Sequence, residues 1–265
     1  MMSAADIPVV ILVGGQGTRM RGSTMTKKEL VEVGGRPILW HVMRIFSVFG
    51  HNQFLLALGY EGAQIKRYFL DYEAMTRDFT VTVGGCGDMQ SISFDQDAEH
   101  PTWQVSLIDT GIESLKGERL ARLAPRLNVD RFFVTYGDGV GNIDLAAITD
   151  FHERHGKLAT VTAVQVASQY GIIETDEAGQ ATNLQEKPRQ EAWINGGFML
   201  LERPVLDRIV ANPAADLETE VLPQLAAEGE LMVYRHTGFW HSMDTMKDTM
   251  DLEKIWQNGA PWKIW

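Results

Sequence analysis

PVVILVGGQGTRM, residues Pro8–Met20, decides how the rest of the sequence is interpreted. An apolar run, Val9–Val13, is followed directly by glycines, which predicts a buried strand that leads into a glycine loop. The loop ends in Thr18 and Arg19. Glycines let backbone N–H groups approach a phosphate closely, and an arginine can bind it with two hydrogen bonds. The stretch therefore favours a phosphate site over an ordinary strand-to-helix turn.

Two familiar glycine motifs do not fit this loop. The dinucleotide-binding pattern G-x-G-x-x-G needs a third glycine at the position of Met20. The P-loop pattern ends in Gly-Lys-Ser/Thr, which is missing here. A phosphate site in this loop would therefore belong to neither class.

Composition limits the possible partners and compartments. The chain has 265 residues, a net charge of −11 and 45% apolar residues, which is ordinary for a globular protein with a large core. The negative charge disfavours nonspecific binding to nucleic acid or to an anionic membrane. We also expect no signal peptide and no membrane span. Cys86 is the only cysteine, so an internal disulfide is impossible; it is expected in a turn, and a reducing cytoplasm fits.

Strand and helix patterns alternate along the first part of the chain. A helix after Pro37 is followed by a strand at Phe54–Leu58 and a helix at Gly62–Leu70. This alternation predicts an α/β fold with a parallel sheet covered by helices. Two short strands, at 79–83 and 91–94, are expected off the main sheet.

The second part of the chain is expected to contain shorter strands. Strands are predicted near 172–175, 181–185, 195–201, 231–236 and 239–243, and helices at 204–210, 218–228 and 245–256. With no linker-like tract, we interpret 1–265 as a single domain. Residues 1–166 would form a nucleotide-binding half, and 167–265 a β-rich C-terminal half.

Asp138 is the most informative single residue. It stands between two glycines directly after an apolar run, Arg131–Tyr136, where open α/β sheets bind ligands. Carboxylates at such an edge suit Mg²⁺. A turn or helix-cap aspartate is the alternative, and Asp144 fits that role better.

Asp244 is the second carboxylate candidate, and Lys28 the candidate cation. Asp244 precedes the last predicted helix, so a helix cap is a strong alternative for it. Two carboxylates far apart in sequence could still share one metal ion. Lys28 lies in a polar connection, where simple solvation is the alternative. The histidines of the helical patterns do not have metal-ligand spacing; they are His41, His152 and His155.

An ordered set of short motifs resembles the sugar-1-phosphate nucleotidyltransferases. The motifs are GGQGTRM, VEVGGRPILWHVM, LGYEG, DTG, TYGDG, EKP, INGGF, GFW and MDT, in that order. Their spacing and the ending GAPWKIW are most similar to the glucose-1-phosphate cytidylyltransferases. Each motif is weak, but the ordered set covers essentially the whole chain.

The resemblance implies a fold and a reaction. The fold would be a Rossmann-like nucleotidyltransferase domain with a mixed, mostly parallel sheet and a small β-rich sugar-binding part. The enzyme would join CTP and α-D-glucose 1-phosphate, with Mg²⁺, to give CDP-glucose and pyrophosphate. The family forms oligomers, so a homo-oligomer is expected. The tryptophans of the tail, Trp256, Trp262 and Trp265, would lie at an interface or in the core.

The resemblance also implies roles for particular residues. Arg19, Lys28 and Asp138 would be catalytic, and Asp138 and Asp244 would bind Mg²⁺. Glu186, Lys187, Asn195 and Gly196 would bind the sugar phosphate. The nucleotide would contact Leu12, Val13, Gly14, Gly15, Gln16, Gly17, Thr18, Arg19, Lys28, Ser114, Arg119 and Gly137.

Two segments depart from the family pattern. Lys27-Lys28-Glu29 stands where relatives usually have Pro-Lys-Pro. The loop therefore loses two fixed φ angles, Glu29 is expected to bring negative charge toward a triphosphate, and Lys27 could substitute for Lys28. Ser168-Gln169-Tyr170-Gly171 stands where relatives often have Ser-Arg-Phe-Gly, so a cation is missing near the sugar side.

These departures leave alternatives to the leading function. The same chemistry could use another sugar 1-phosphate or another nucleotide. A non-catalytic nucleotide-binding regulator is a different class, supported only by the altered lysine loop. A glycosyltransferase ranks last, because Asp138-Gly139-Val140 lacks the usual second aspartate.

Overall fold

A computed structural model of the chain describes residues 7–16, 26–83, 91–95, 102–168, 170–188 and 191–265. The strands of these residues are β1 (Val9–Val13), β2 (Glu32–Val33), β3 (Arg36–Pro37), β4 (Gln53–Leu58), β5 (Phe79–Thr82), β6 (Ser91–Phe94), β7 (Gln104–Asp109), β8 (Arg131–Tyr136), β9 (Gly139–Gly141), β10 (Ala159–Val164), β11 (Ile172–Thr175), β12 (Ala181–Gln185), β13 (Ile194–Asn195), β14 (Met199–Glu202), β15 (Leu231–His236) and β16 (Trp240–Ser242).

The α-helices are α1 (Ile38–Val48), α2 (Gly62–Leu70), α3 (Tyr72–Thr76), α4 (Lys116–Leu123), α5 (Leu145–His155), α6 (Arg203–Ala211), α7 (Leu222–Ala227) and α8 (Met246–Gln257). Short 3₁₀ turns cover Lys28–Leu30 and Ala124–Arg126, and a π-helical turn, Leu217–Val221, precedes α7. No helix in the described part of the chain is long and apolar enough to cross a bilayer.

The main sheet has eight strands and is built around β1. The strands follow the order β15, β10, β14, β8, β1, β4 and β7. The short strand β13 pairs with the C-terminal end of β10. β1 runs parallel to both β4 and β8, so Val9 lies opposite Phe54 and Phe133. β14 is antiparallel to β8 and β10. The prediction of a mixed, mostly parallel sheet flanked by helices is therefore confirmed.

Alternate residues of β1 pack on opposite faces of this sheet, because successive strand side chains point to opposite sides. Ile11 and Val13 lie in the core shared with α1 and α8. Val10 and Leu12 lie in the core shared with α4, α6 and α7. This double burial explains why β1 is a continuous apolar run.

Small hairpins lie outside the main sheet: β2–β3, β5–β6 and β11–β12, together with the β9–β16 pair. The predicted position of residues 79–83 and 91–94 off the sheet is confirmed; Cys86 lies outside the described residues. The single strand predicted over 195–201 is wrong. It is interrupted at Gly197 and Phe198, which have φ angles of 76° and 45° and bulge out between β13 and β14, two short strands that both run antiparallel to β10.

Of the tail tryptophans, Trp262 lies in the core, whereas Trp256 and Trp265 are half-buried, and an interface stays a prediction for those two. Trp262 is fully buried and stacks on Phe239, with ring centroids 5.5 Å apart. The His41 ring of α1 lies 5.1 Å from the Trp256 ring. His41 also hydrogen-bonds the Val33 carbonyl at 2.8 Å, and burial lowers the pKa of His41 to about 4. His41 is thus a structural histidine.

Candidate active site

The Lys28 ammonium lies between two carboxylates. Lys28 Nζ is 2.6 Å from Asp138 Oδ2 and 2.7 Å from Asp244 Oδ1. Lys28 projects from its 3₁₀ turn, Asp138 follows β8 and Asp244 precedes α8. Three segments that are distant in sequence therefore bring their charges to one point at the edge of the sheet.

The β9–β16 pair places the two aspartates side by side. Ser242 of β16 pairs with Gly139 of β9, and the Met243 N–H donates to the Asp138 carbonyl at 2.9 Å. Asp138 and Asp244 flank this short ladder. The backbone hydrogen bonds thus fix the separation of the two carboxylates.

Asp244 is not the cap of α8. Thr245 is the N-cap residue, and it forms a reciprocal capping box with Asp248. The helix-cap alternative for Asp244 is therefore wrong, and its carboxylate can face Lys28. Asp144 does cap α5, since its side chain accepts a hydrogen bond from the Ala147 N–H at 2.9 Å, as predicted.

The charges of this cluster reinforce one another. Burial by itself would lower the pKa of Lys28, but the Asp138 and Asp244 carboxylates outweigh burial and raise it above its ordinary value. Lys28 is thus a cation at neutral pH. Two carboxylates that converge on one cation also fit Mg²⁺, which is commonly held by one or two protein carboxylates plus water and phosphate oxygens. In the described residues, no group of three or more His, Cys, Asp or Glu side chains forms a more complete metal site.

A cleft of about 370 Å³ lies on one side of the cluster. It is bordered by the glycine loop after β1 and by the first turn of α4. Its lining residues are Leu12, Gly14, Gly15, Lys28, Glu29, Ser114, Leu115, Lys116, Arg119, Tyr136, Asp138 and Asp216. We call it the loop cleft.

Most of the predicted nucleotide residues in the described part of the chain meet at the loop cleft. Val13 is different, because its side chain is fully buried in the opposite core. Gly137 is required for packing, since a Cβ there would lie 2.6 Å from Val13 Cγ1. Gln16 belongs to the glycine loop, but it is not among the residues that line the cleft. Gly17, Thr18 and Arg19 lie outside the described residues.

Arg119 holds the base of the glycine loop. Its buried guanidinium donates to the Gly14 carbonyl at 3.2 Å and to the Thr110 hydroxyl at 2.8 Å. It also donates to the carbonyls of Leu58, Gly111 and Ile112. A Cβ on Gly14 would overlap this guanidinium. The contact explains why position 14 needs glycine, and a direct contact from Arg119 to nucleotide stays a prediction.

A second, larger cleft of about 1180 Å³ lies on the Asp244 side. Its lining residues are Gln165, Val166, Ala167, Ser168, Tyr170, Lys187, Ile194, Phe239, Trp240, His241, Ser242, Asp244, Thr245, Lys247, Asp248 and Asp251. We call it the broad cleft. Asp138 borders the loop cleft and Asp244 borders the broad cleft, so the two clefts meet at Lys28.

The four predicted sugar-phosphate residues lie at different depths. Lys187 lines the broad cleft and forms an exposed ion pair with Glu186 at 3.7 Å. Asn195 donates to the Tyr136 hydroxyl at 3.4 Å, and the Gly196 carbonyl accepts from Trp240 Nε1 at 3.0 Å. Of the four, only Lys187 is a lining residue, and the binding roles of all four stay predictions.

The sequence did not predict a polar group of three residues at the loop cleft, Lys116, Tyr136 and Glu218. The Glu218 carboxylate accepts hydrogen bonds from the Tyr136 hydroxyl and from Lys116 Nζ. Burial raises the pKa of Tyr136, and the Glu218 carboxylate adds to that shift. Tyr136 is the last residue of β8, two positions before Asp138. That position was the only feature of the sequence that could have pointed to this polar group, because Glu218 comes from a helical segment distant in the sequence.

The lysine loop corrects two expectations. Lys27 does not take the place of Lys28, because its Nζ is buried and donates to the Gly15 carbonyl at 2.7 Å. Glu29 lines the loop cleft as expected, but its carboxylate is paired with Lys27 there. It is buried and lies 3.3 Å from Lys27 Nζ; burial raises its pKa, and Lys27 opposes that shift.

Residues 8–258 match the family model described as nucleotidyl transferase. The chain belongs to the nucleotidyltransferase family. It is 44% identical over 260 residues to the glucose-1-phosphate cytidylyltransferase of Salmonella typhi, covering 97% of this chain and 98% of the relative. The probable glucose-1-phosphate cytidylyltransferase of Bacillus subtilis is 40% identical, at 97% and 99% coverage. The resemblance seen in the sequence is thus confirmed.

More distant relatives share parts of this nucleotidyltransferase or its fold. The mannose-1-phosphate guanylyltransferase catalytic subunit beta of Drosophila melanogaster is 30% identical over 250 residues, covering 90% of this chain and 60% of the relative. The crystal structure of HddC from Yersinia pseudotuberculosis superposes with a TM-score of 0.67 at 19% identity, covering 94% of this chain and 99% of HddC. At that identity the likeness shows the Rossmann-like fold alone.

Proposed function

We propose that this nucleotidyltransferase joins CTP and α-D-glucose 1-phosphate to give CDP-glucose and pyrophosphate. Relatives named for that reaction match it at 40–44% identity over nearly its whole length. The observation that carries the proposal is the position of Lys28, held between Asp138 and Asp244 where the two clefts meet. A transfer between two phosphate-bearing substrates needs charge at such a junction.

The reaction needs little covalent chemistry from the protein. An oxygen of the sugar phosphate attacks the α-phosphorus of CTP, and the bond from that phosphorus to the oxygen bridging to the β-phosphate breaks. Pyrophosphate leaves with the bonding electrons. The attacking phosphate is already ionised, so no general base is needed. Positioning and neutralisation of charge supply the acceleration.

Each cleft suits one substrate. The loop cleft combines the Gly14–Gly15 backbone with Ser114 and Lys116, a set suited to a nucleotide and its phosphates. The broad cleft combines Lys187 and Lys247 with polar and aromatic side chains, which suits a sugar phosphate. Lys28 would exchange its carboxylate partners for phosphate oxygens.

Asp138 and Asp244 would hold Mg²⁺ in the working enzyme, because they already converge on one cation. When bound, Mg²⁺ supplies positive charge that the triphosphate and the leaving pyrophosphate require. Arg19, from the loop after Gly15, is proposed to add a further cation on the nucleotide side.

Pyrophosphate release tests the proposal directly. The purified protein is incubated with Mg²⁺, each of several nucleoside triphosphates and each of several sugar 1-phosphates. We expect the highest kcat/KM for CTP with α-D-glucose 1-phosphate, and loss of most of it in Asp138→Asn and Asp244→Asn. The control is Asp150→Asn, an exposed aspartate of α5. No product from any pair would refute the enzymatic function.

The panel also separates the remaining alternatives. Tyr170 is 76% exposed at the broad cleft, in the segment that departs from the family pattern, so a different sugar 1-phosphate is the second candidate. A non-catalytic regulator is disfavoured, because Lys28 reaches the site despite the altered loop. A cytoplasmic location and a homo-oligomer stay predictions; light scattering on the eluted protein tests the latter.

A further inference from the structure

Two buried charged residues, Lys27 and Glu29, flank Lys28 in the sequence. Lys27 is 3% exposed and Glu29 is 7% exposed. Their side chains meet at 3.3 Å, while the Lys28 side chain lies toward Asp138 and Asp244. Removing charged groups from water is costly even when they are paired. Burial of both charges next to Lys28 therefore calls for a reason beyond stability.

Lys27 connects three segments around the loop cleft. Its Nζ donates to the Gly15 carbonyl at 2.7 Å, which ties the glycine loop to the lysine loop. Its backbone N–H donates to Gln64 Oε1 of α2 at 2.9 Å. The turn that carries Lys28 is thereby anchored to the segment on one side of the cleft and to the helix behind it.

Glu29 links the same turn to the segment that carries Asp138. It lies against Gly137, since a Cβ there would lie 3.0 Å from Glu29 Cγ. Gly137 directly precedes Asp138 in the sequence. The Lys27–Glu29 pair thus spans from the glycine loop to the residue before the metal-binding candidate.

We propose that the buried Lys27–Glu29 ion pair is a positioning element that sets Lys28 between Asp138 and Asp244 and fixes the Gly15 carbonyl beside it. The inference rests on the proposed function for its catalytic consequence only. Side-chain contacts of Lys27 and Glu29 restrict the turn that carries Lys28, as a proline would do covalently through its φ angle.

A double variant separates positioning from stability. Lys27→Met leaves the Glu29 charge buried without its partner, so a large loss of stability is expected. Lys27→Met with Glu29→Leu removes both charges at similar volume, and stability is expected to return near wild type. If the pair positions Lys28, kcat of the double variant stays about 10- to 100-fold low, because a misplacement near 1 Å has such effects. The KM values are expected to change far less.

Lysine labelling gives a readout that does not depend on turnover. Amine reagents need access to the amine, and the Lys28 side chain is only 12% exposed between its two carboxylates, so it should react slowly. Peptide mass spectrometry should show faster Lys28 labelling in the double variant than in wild type. Failure of the wild type to release pyrophosphate would refute the proposed function alone, and the labelling comparison would still test the pair.

The matched control is a second ion pair far from the clefts. Lys157 Nζ lies 3.2 Å from Glu230 Oε1, and neither residue lines a cleft. Lys157→Met with Glu230→Leu should leave kcat and Lys28 labelling unchanged. Should the first double variant not fold, Glu29→Gln removes the charge at nearly the same volume. Wild-type kcat and labelling in the variant that folds would overturn the proposal.

Discussion

Lys28 Nζ lies 2.7 Å from Asp244 Oδ1, although 216 positions of the sequence separate the two residues. The contact exists because the β9–β16 ladder brings Asp244 beside Asp138. The cluster therefore contains residues from both halves of the chain, Lys28 and Asp138 from 1–166 and Asp244 from 167–265. A change at Lys28 should affect chemistry far more than it affects folding.

Replacing Lys28 by methionine should lower kcat about 10²- to 10³-fold, since one preformed electrostatic contact in an active site has that effect. The variant keeps the length of the side chain and loses the charge. The measurement is initial-rate pyrophosphate release. Lys66→Met, at an exposed position of α2, is the control and should match wild type. A Lys28→Met variant with wild-type kcat would remove Lys28 from the catalytic residues.

Arg119→Met should lower the free energy of unfolding by at least about 3 kcal/mol, because it removes several hydrogen bonds from a buried charged donor. Five acceptors lose a partner, among them the Gly14 carbonyl. Arg122→Met on the same helix is the control. Arg122 pairs with Glu118 near the surface, so its loss should cost less than about 1 kcal/mol. Urea unfolding measures both, and equal losses would contradict the role given to Arg119.

Gly34→Ala should destabilise the fold more than Gly35→Ala. Both glycines have positive φ angles, 59° and 76°, so the backbone strain of an alanine should destabilise the fold by a similar amount at either position. A Cβ at Gly34 would overlap the Trp256 ring, whereas nothing lies within 4 Å of one at Gly35. The overlap should cost a further 1–3 kcal/mol, roughly. The difference between their urea midpoints measures it, and equal midpoints would mean that the ring moves away freely.

The protein should begin to lose stability at pH values well above those at which its carboxylates titrate. Burial lowers the pKa values of His41 and His51 to about 4, from an ordinary 6.5. Between these values the unfolded chain binds protons that the native protein excludes, so stability is full above pH 6.5 and falls as pH drops toward 4. Each histidine contributes up to about 3 kcal/mol of that loss.

His51→Phe tests the acid effect at one position. The His51 ring packs 5.0 Å from the Phe133 ring, so phenylalanine suits the site. Unfolding by urea at pH 7.5 and at pH 5 should show a smaller loss in the variant than in wild type. An identical loss would show that His51 does not carry the effect.

The sequence was sufficient for most elements of the fold because their patterns are local. The helix predicted at Gly62–Leu70 is α2 with the same bounds, and the strand at Arg131–Tyr136 is β8. Prediction failed at 195–201, where the φ angles of Gly197 and Phe198 interrupt the predicted strand. The two glycines at 196 and 197 allow such a break, but only the fold shows that the strand continues along β10 after it.

The candidate site was predictable where a residue has a distinctive neighbourhood. Asp138 between its glycines was identified in this way. The sequence could not predict where the Lys27 and Glu29 side chains lie. Only the fold shows that Lys27 reaches the Gly15 carbonyl and that Glu29 packs against Gly137. The contact of Tyr136 and Lys116 with Glu218 was missed for the same reason.

The burial of Trp262 has a consequence for biosynthesis. Its indole lies against His41, 221 positions earlier in the sequence. The place that Trp262 takes beside His41 of α1 stays unfilled until residue 262 has been made. Exposed apolar surface on a long incomplete chain promotes aggregation, and contacts of such separation close slowly. Packing of this part of the core therefore waits for residue 262, so α1 is exposed to aggregation for most of the synthesis of residues 1–262.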